Sequence, residues 1–232
     1  VQAVHSVLGS TSQGPVTAVV VDNSEDREEA ESLRRGLPRT TALMVNEKNL
    51  GFGQACNQAF NAFSSSGDWI LLLNPDARLM PGSLARLQKM LIQSEQAAAV
   101  APQVYWDDQA RFLLPPSLPP LSFLFQAILD GGDARPMGTR LLSRIWRSHA
   151  LRVWRSSRPL RVRNLSGGLV LLKGAAVRAA GGLFDPRFFL YFEDTDLFLR
   201  LRKAGYELWL EPRAQGIHSY DQCGDRESSA KR

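Results

Sequence analysis

The stretch that decides the fold is WILLLNPD, residues 69–76, in which five apolar residues run directly into a polar turn. A short apolar run that stops at Asn-Pro-Asp is typical of a buried strand ending at a loop. The same pattern occurs upstream in VVVDNS, residues 19–24, which is rich in β-branched residues. Ligands bind at the carboxyl ends of strands in open α/β sheets, so Asp22 and Asp76 are predicted to lie at a binding site.

Helix-prone segments alternate with these apolar runs along most of the chain. The sequence predicts strands at 16–21, 41–45, 69–73, 98–104 and 165–173, and helices at 25–35, 51–63, 83–93 and 193–204. Alternating strands and helices of this kind build βαβ units, so we predict an α/β fold with a mainly parallel sheet.

Length and composition predict one packed domain. The 232 residues are 44% apolar, which is enough for a single core. Every apolar run is far shorter than the roughly 20 residues that cross a bilayer, and residues 1–15 lack the pattern of a secretory signal. Cys56 and Cys223 are too far apart in sequence to suggest a disulfide framework or a zinc site. We therefore expect a single domain over residues 1–232, located in the cytoplasm.

The segment at about residues 113–163 differs from the rest of the chain. Four prolines lie between Leu113 and Pro120, and nine arginines follow in a stretch without Asp or Glu. Nine positive charges exceed the net charge of +5, so the basicity is local. The arginines are Arg135, Arg140, Arg144, Arg147, Arg152, Arg155, Arg158, Arg161 and Arg163. We predict a Pro-rich and Arg-rich helical insertion whose basic patch attracts phosphate or anionic lipid, or is simply a solvated helix face.

Three acidic clusters are candidates for chemistry: Asp22, Asp76 and the run Glu193-Asp194-Thr195-Asp196 at a predicted helix start. Each has a structural explanation when taken singly. An aspartate at a strand end can cap a turn, and acids in a first helical turn are stabilised by about 0.3–1 kcal/mol each through the helix dipole. Their order along the chain is what points to chemistry.

In order and spacing, six motifs resemble the family-two glycosyltransferases of the GT-A fold, especially rhamnosyltransferase-like members. The motifs are Val19–Ser24, Asn46–Asn57 with its core Asn49–Gly53, Leu72–Asp76, Gly181–Asp185, Phe188–Leu197 and Arg200–Tyr206, followed by His218. They extend over about residues 16–218. The resemblance implies a GT-A type nucleotide-diphospho-sugar transferase fold, with a mixed, mainly parallel sheet and helices on both faces.

The resemblance also implies which residues bind the donor. Asp22 would contact the base or ribose of the nucleotide. Asn49 and Gly51 would lie along the nucleotide, because glycine lets the backbone approach a ligand and the following helix offers free amide hydrogens at its N-terminus. Asn57, one turn into that helix, would help to hold the donor, although an ordinary helix-surface asparagine is the simpler interpretation.

A metal site is implied at Asn74-Pro75-Asp76, which occupies the place of the family's DXD motif with Asn74 in the first position. Asp76 would bind the Mg²⁺ or Mn²⁺ that bridges the donor diphosphate. Hard cations prefer oxygen ligands, and donor phosphates can complete the shell. His218 lies where the family often has a histidine near the metal, although a single histidine near a C-terminus is usually a surface residue.

Asp194 matches the aspartate that acts as base in inverting members of the family, where it takes the proton from the acceptor hydroxyl. Glu193 would share or replace that role, whereas Asp196 is assigned to stabilising the first helical turn. Adjacent residues on a helix face different ways, which argues against the paired carboxyls of a glycosidase. The residues 166–168 and Tyr191-Phe192 flank the site and can shape an acceptor pocket, with Phe192 expected in the core.

The sequence therefore predicts an inverting, metal-dependent glycosyltransferase that moves a sugar from a nucleotide-diphosphate donor to a hydroxyl of a glycan or lipid-linked acceptor. Rhamnose is suggested by likeness alone, with a role in cell-surface polysaccharide biosynthesis. The alternative is a catalytically impaired homologue that binds a nucleotide or glycan, because the family's first strand is missing from this sequence. A nucleotidyltransferase would need a glycine-rich basic loop, which the sequence does not show.

The arginine-rich segment allows two further interpretations. Trp146 and Trp154, which lie among the arginines, can stack on nucleic-acid bases, but no recognised nucleic-acid module surrounds them. We therefore expect no nucleic-acid partner. Anionic headgroups or a pyrophosphate explain the same features, with the tryptophans at the interface. We hypothesise peripheral association with the inner face of the membrane.

Overall fold

The computed structural model describes residues 1–10, 12, 14–111 and 156–219. The helices are α1 (Gln2–Leu8), α2 (Arg27–Gly36), α3 (Phe52–Phe63), α4 (Ser83–Gln93), α5 (Gly174–Ala179) and α6 (Glu193–Lys203). The strands are β1 (Val19–Asp22), β2 (Ala42–Val45), β3 (Trp69–Leu73), β4 (Ala77–Leu79), β5 (Ala97–Tyr105), β6 (Leu160–Val162), β7 (Leu169–Lys173) and β8 (Glu207–His218). In this described part of the chain, no helix has the length and hydropathy needed to cross a bilayer.

The strands form two separate ladders. β1 and β2 pair in parallel, and a six-stranded sheet has the order β3-β7-β5-β8-β4, with β6 also paired to β8. Within that sheet β5 and β8 run parallel, whereas the other pairs are antiparallel. The predicted mixed α/β sheet is confirmed, with more antiparallel pairing among the described strands than the sequence suggested. A buried run such as LVLLK in β7 shows no alternation, so its sequence cannot give the direction of pairing.

Helices cover both faces of the six-stranded sheet, as β7 shows. Val170 and Leu172 belong to one apolar cluster, together with residues of α3, α5 and α6. Leu169 and Leu171 belong to a second cluster, together with residues of α1 and α4. Because successive side chains of a strand point to opposite faces, the two clusters lie on opposite sides of the sheet. The helices on both faces that the resemblance implied are therefore present.

Two parts of the chain differ from the sequence predictions. The insertion predicted at about residues 113–163 lies mostly outside the described residues, but Leu160–Val162 form β6 and pair with Leu208–Leu210 of β8. The insertion therefore ends before the predicted boundary, because these residues belong to the main sheet. Strand β8 itself was not predicted, since Pro212 within it is a residue that usually argues against a paired strand.

Arg200 joins helix α6 to the preceding turn. Its Nη1 donates to the carbonyl oxygens of Ala180 and Gly182 at 2.9 and 2.8 Å, and its Nη2 donates to that of Leu183 at 2.7 Å. Its Nε donates to Asp196 at 2.6 Å, within the same helix. Asp196 therefore orients Arg200 as well as lying in the first turn of the helix. The contact fixes where the chain enters the segment that leads to Asp194.

We predict that Arg200→Met lowers the free energy of unfolding by about 3 kcal/mol, because three partly buried carbonyl groups and one carboxylate lose their donor. Urea denaturation measures the change. Arg35→Met is the matched control, since Arg35 and Glu31 also form an i,i+4 ion pair but are well exposed. Such a pair contributes about 0.5 kcal/mol or less. Equal losses in the two variants would contradict this role for Arg200.

Candidate active site

Strand pairing brings Asp76 and His218 together. Ala77 of β4 pairs with His218 at the end of β8, and the amide of Ser219 donates to the carbonyl oxygen of Asp76 at 3.1 Å. Nε2 of His218 lies 3.0 Å from Oδ1 of Asp76, and both side chains are largely buried. His218 is therefore not a surface residue. The two residues predicted as metal ligands form one close pair.

Asn74 and Gly168 pack beside that pair. The amide of Asn74 donates to the carbonyl oxygen of Gly168 at 2.8 Å, and Nδ2 of Asn74 lies 3.4 Å from Nε2 of His218. A Cβ atom on Gly168 would lie 3.0 Å from Nδ2 of Asn74 and 3.2 Å from Cε1 of His218. Such contacts are tighter than packed side chains normally make. A glycine at position 168 therefore allows the backbone to pack closely against Asn74 and His218.

Asp194 contacts Gly167, the residue directly before Gly168. Its Oδ2 accepts a hydrogen bond from the amide of Gly167 at 3.0 Å, and its Oδ1 accepts one from the amide of Thr195 at 2.6 Å. Each carboxylate oxygen has two lone pairs, so Oδ2 retains room for one further donor. An acceptor hydroxyl is a donor of that kind.

The glycine pair at 167 and 168 therefore joins the two halves of the candidate site. Gly167 contacts Asp194, and Gly168 contacts Asn74 and His218. Consecutive Cα atoms are about 3.8 Å apart, so both groups border one stretch of backbone. The residues 166–168, which were predicted to flank the site, run between the carboxylate–imidazole pair and Asp194.

Asp22 ends β1 in a buried position with one oxygen unused. Its Oδ1 accepts the amide of Ser24 at 3.0 Å, and its backbone carbonyl accepts the amide of Asn46 at 2.9 Å. Its Oδ2 is buried without a hydrogen-bond partner in the described ranges. A donor such as a nucleotide N–H or hydroxyl group would satisfy this oxygen.

Asn23, which was not predicted as a binding residue, holds the loop that contains Asn49 and Gly51. Its Nδ2 donates to Oδ1 of Asn49 at 2.7 Å, and its Oδ1 accepts the amide of Leu50 at 3.0 Å. Oδ1 of Asn49 also accepts the amide of Gly51 at 2.9 Å. Asn23 follows Asp22 directly after a strand, which is the sequence signal that could have identified it. The side-chain carbonyl group of Asn49 thus stabilises the conformation of the loop.

The structure places Asn57 differently from the prediction that it helps to hold the donor. Its Nδ2 donates to the carbonyl oxygen of Phe184 at 2.8 Å, and its Oδ1 accepts the amide of the same residue at 2.9 Å. Both polar atoms of the side chain are engaged with the protein backbone. This geometry does not support direct donor binding by the Asn57 amide.

Glu193 and Asp194 face different parts of the protein. Glu193 is buried beside Gly53 and Cys56 of α3, and its Oε2 is another buried oxygen without a partner in the part of the chain described. Burial raises the pKa of Glu193, and the nearby Asp194 carboxylate acts in the same direction. Burial also raises the pKa of the Cys56 thiol to about 12, with Glu193 contributing. Glu193 thus lies against α3, whereas Asp194 lies beside the glycine pair.

The expectation that Phe192 lies in the core is wrong. Phe192 is 48% exposed and Tyr191 is 70% exposed. Both have left-handed backbone conformations, with φ values of 68° and 67°, and Phe192 precedes the first residue of α6. This conformation at the helix start turns the two rings away from the apolar clusters. Strain of this type occurs at functional sites when the surrounding structure enforces it.

Unpartnered buried oxygens coincide with the predicted site. Five buried side-chain polar atoms lack a hydrogen-bond partner in the described ranges, and three of them belong to Asp22, Asn74 and Glu193. Buried polar groups are nearly always paired with protein, ligand or water, and two of these oxygens, Oδ2 of Asp22 and Oδ1 of Asn74, belong to residues predicted to contact the donor and the metal. Within the same ranges, no group of three or more His, Cys, Asp or Glu residues is arranged to hold a metal without further ligands.

Comparison with known proteins identifies the family. The family model described as Glycosyl transferase family 2 matches residues 1–161. The chain belongs to glycosyl transferase family 2. Two curated relatives from strains of Mycobacterium tuberculosis are each described as N-acetylglucosaminyl-diphospho-decaprenol L-rhamnosyltransferase. Each is 28% identical in an alignment of 222 residues that covers 91% of this chain and 69% of the relative.

A solved structure confirms the fold expected of this family member. The crystal structure of GalNAc-T7 with UDP, GalNAc and Mn²⁺ superimposes with a TM-score of 0.63 at 15% sequence identity. The similarity covers 96% of this chain, which spans 41% of that structure's chain. The GT-A fold predicted from the six motifs is therefore present, and the rhamnosyltransferase-like resemblance is confirmed by the curated relatives.

We predict that Glu193→Gln stabilises the protein increasingly, relative to wild type, as pH rises above the ordinary glutamate pKa of about 4.3. The raised pKa means that folded Glu193 keeps its proton to a higher pH than the unfolded chain does, so its contribution to stability falls between the unfolded and the folded pKa. Glutamine is neutral at every pH, so the variant does not lose stability in this way. Urea denaturation of both proteins across the pH range measures the difference.

Glu211→Gln is the control with the opposite sign. Burial acts to raise the pKa of Glu211, but hydrogen bonds from Arg213 outweigh it and lower the pKa overall. Stability from this lowered pKa is present above the unfolded pKa and is lost as pH falls, so Glu211→Gln should become relatively destabilising at higher pH. A stability difference for Glu193→Gln that does not change with pH would contradict the burial of a titrating carboxyl.

Proposed function

We propose that this chain is an inverting glycosyltransferase in which Asp194 is the general base. The observation that carries the proposal is the glycine pair, which places Asp194 and the Asn74–His218 contact on one stretch of backbone. The acceptor hydroxyl would donate to Oδ2 of Asp194 and pass its proton there as its oxygen attacks the anomeric carbon. A positioned base of this kind typically accelerates a reaction by about 10²- to 10⁴-fold.

Asp76 and His218 are the proposed cation ligands, together with the donor diphosphate. A carboxylate, an imidazole and the unpartnered Oδ1 of Asn74 form a donor set that suits Mg²⁺ or Mn²⁺ when phosphate oxygens complete the shell. A bound cation would neutralise the charge that develops on the departing diphosphate.

The donor nucleotide is proposed to lie between Asp22 and the loop held by Asn23. Oδ2 of Asp22 would accept a hydrogen bond from the base or the ribose. The backbone of Asn49 and Gly51 would approach the nucleotide closely, since Gly51 has a φ of 80° that favours glycine. These residues would orient the donor so that its anomeric carbon faces Asp194.

The acceptor is proposed to be a lipid-linked sugar and the transferred sugar rhamnose, as the names of the curated relatives suggest. Four consecutive exposed apolar residues, Phe189–Phe192, precede Asp194 and support this choice. An acceptor with an extended apolar part uses such a surface better than a free glycan does.

A lipid-linked acceptor would place the enzyme at the cytoplasmic face of a membrane. The arginine-rich segment was expected to contribute, but its arginines from Arg135 to Arg155 lie outside the described residues. Arg161, within the described part, forms an ion pair with Glu207 at 2.9 Å. The peripheral membrane role of this segment stays a prediction.

We predict that Asp194→Asn lowers the transfer rate by about 10²- to 10⁴-fold and leaves nucleotide binding largely intact, because only the proton acceptor is lost. Asp76→Ala should instead weaken Mn²⁺-dependent binding of nucleoside diphosphates. Radiolabelled sugar transfer and isothermal titration calorimetry measure the two effects, after a thermal-shift screen of nucleotide sugars has selected the donor.

Asp68→Asn is the control, because Asp68 is exposed and directly precedes β3, at the end of that strand opposite Asn74. It should transfer sugar at nearly the wild-type rate. Turnover of Asp194→Asn within threefold of wild type would refute the assignment of Asp194 as the base, whereas a wild-type protein that binds nucleotide but transfers no sugar would favour a homologue without catalysis.

We predict that Leu190→Ser raises the KM for an N-acetylglucosaminyl diphosphate carrying a long prenyl chain by about tenfold, since an apolar contact worth about 1.4 kcal/mol would be lost. The KM for the same sugar diphosphate with a short alkyl group should change less. Ile92→Ser is the control, because Ile92 is 54% exposed and Leu190 is 50% exposed. Equal changes for both acceptors would exclude an apolar acceptor contact.

A further inference from the structure

The side chain of Asn57, on α3, contacts the segment that leads to the proposed base, Asp194. We refer to Phe184–Phe192, which leads to Asp194, as the base segment. The two hydrogen bonds between Asn57 and Phe184 are reciprocal, at 2.8 and 2.9 Å. The partners fix the orientation of the amide, because a backbone N–H can only donate and a carbonyl oxygen can only accept.

The first turns of α3 contact the base segment at further points. The amide of Phe52 donates to the carbonyl oxygen of Phe189 at 3.1 Å, and Nε2 of Gln54 donates to that of Pro186 at 3.3 Å. The rings of Phe52 and Phe184 have their centroids 5.8 Å apart. Contacts at Phe184, Pro186 and Phe189 show that α3 supports the segment along its length.

Two glycines allow this close approach. A Cβ atom on Gly51 would collide with the carbonyl oxygen of Phe189, and one on Gly53 would lie 3.4 Å from that of Phe188. Gly51 belongs to the loop proposed to bind the nucleotide. The backbone of this loop, which contains Asn49 and Gly51 and which we call the donor loop, therefore contacts the base segment directly.

The base segment is also held at its start. Arg200 donates to the carbonyl oxygen of Leu183 at 2.7 Å, directly before Phe184. From Leu183 to the start of α6, the position of the chain relative to the donor loop thus depends on Arg200 and on the contacts with α3. Asn57 supplies two of those contacts with a single side chain.

We propose that Asn57 is a positioning residue that sets the distance between the bound donor and Asp194 by holding the backbone of Phe184. This inference rests on the proposed function, because it assumes that Asp194 is the base. A positioning role and a donor-binding role of Asn57 predict different effects of its substitution. A misplacement of about 1 Å at a reacting centre can cost about 10²-fold in rate, so loss of the Asn57 contact affects turnover and not nucleotide affinity.

The variant Asn57→Asp tests this with almost no change of shape. One carboxylate oxygen still accepts the amide of Phe184, but the other faces the carbonyl oxygen of Phe184 without a proton to donate. Lowering the pH protonates the carboxyl, which can then donate again, and its partly buried place beside a carbonyl raises the pKa of the introduced group. The contact is therefore lost at high pH and restored at low pH.

At pH 8 we expect kcat of Asn57→Asp to fall by about 10- to 100-fold, with the Kd for the selected nucleoside diphosphate and Mn²⁺ within twofold of wild type. The ratio of variant to wild-type kcat should rise as the pH is lowered to 5.5. Taking the ratio removes the effect of pH on Asp194, which is common to both proteins. Asn61→Asp, on the exposed face of the same helix, should show a ratio near one at every pH.

Two results would overturn the inference. One is a rise in Kd that accounts for the loss of activity, which would make Asn57 a donor ligand. The other is a kcat ratio that does not change with pH, which would reduce its role to general stability. Amide hydrogen exchange provides a readout without catalysis, since residues 184–192 should exchange faster than in wild type at pH 8 and alike at pH 5.5.

The exchange experiment also separates this inference from the proposed function. Unchanged exchange of residues 184–192 in Asn57→Asp contradicts the role of Asn57, whatever the activity. A wild-type protein that binds the nucleoside diphosphate with Mn²⁺ but transfers no sugar contradicts the proposed function.

Discussion

The antiparallel pairing of β4 with β8 is the constraint on which the candidate site depends. It sets Ala77 against His218 and so places the imidazole beside Asp76, although the two residues are 142 positions apart in sequence. The glycine pair then links this contact to Asp194. A one-residue slip of β4 along β8 would turn the opposing side chains to the other face and separate the pair. The register of two strands thus decides whether the chain has a site.

A second layer of order comes from side chains that bind backbone. Asn23 holds the donor loop, Asn57 holds Phe184, and Arg200 holds the turn before it. Each of these side chains ties together segments that carry functional groups on other residues. The donor loop and the base segment therefore behave as one packed unit, and a change in either is transmitted to the other through direct contact.

Much of the fold could be predicted from local sequence. The run at 69–73 became a strand with the expected ends, and α3 and α6 begin within one residue of their predicted starts. Strand direction, the strand β8 and the partner of Asn57 could not be predicted, because each depends on residues far away in the chain. For the site, the motifs brought forward Asp76, Asp194 and His218 as a set. They could not show that Glu193 faces α3, since burial of one of two adjacent acids is decided by tertiary packing.

Several departures from ordinary folding rules occur at residues of the candidate site. Asp22, Asn74 and Glu193 keep buried oxygens without partners in the described ranges, and Tyr191 and Phe192 have left-handed backbones with exposed rings. Each such feature costs stability, by about 1–3 kcal/mol for a strained residue or an unpaired buried group. The two apolar clusters, one on each side of the sheet, stabilise the fold and offset this cost. At Asp22 and Asn74, a bound donor and its cation would supply the missing partners, whereas Glu193 lies against α3.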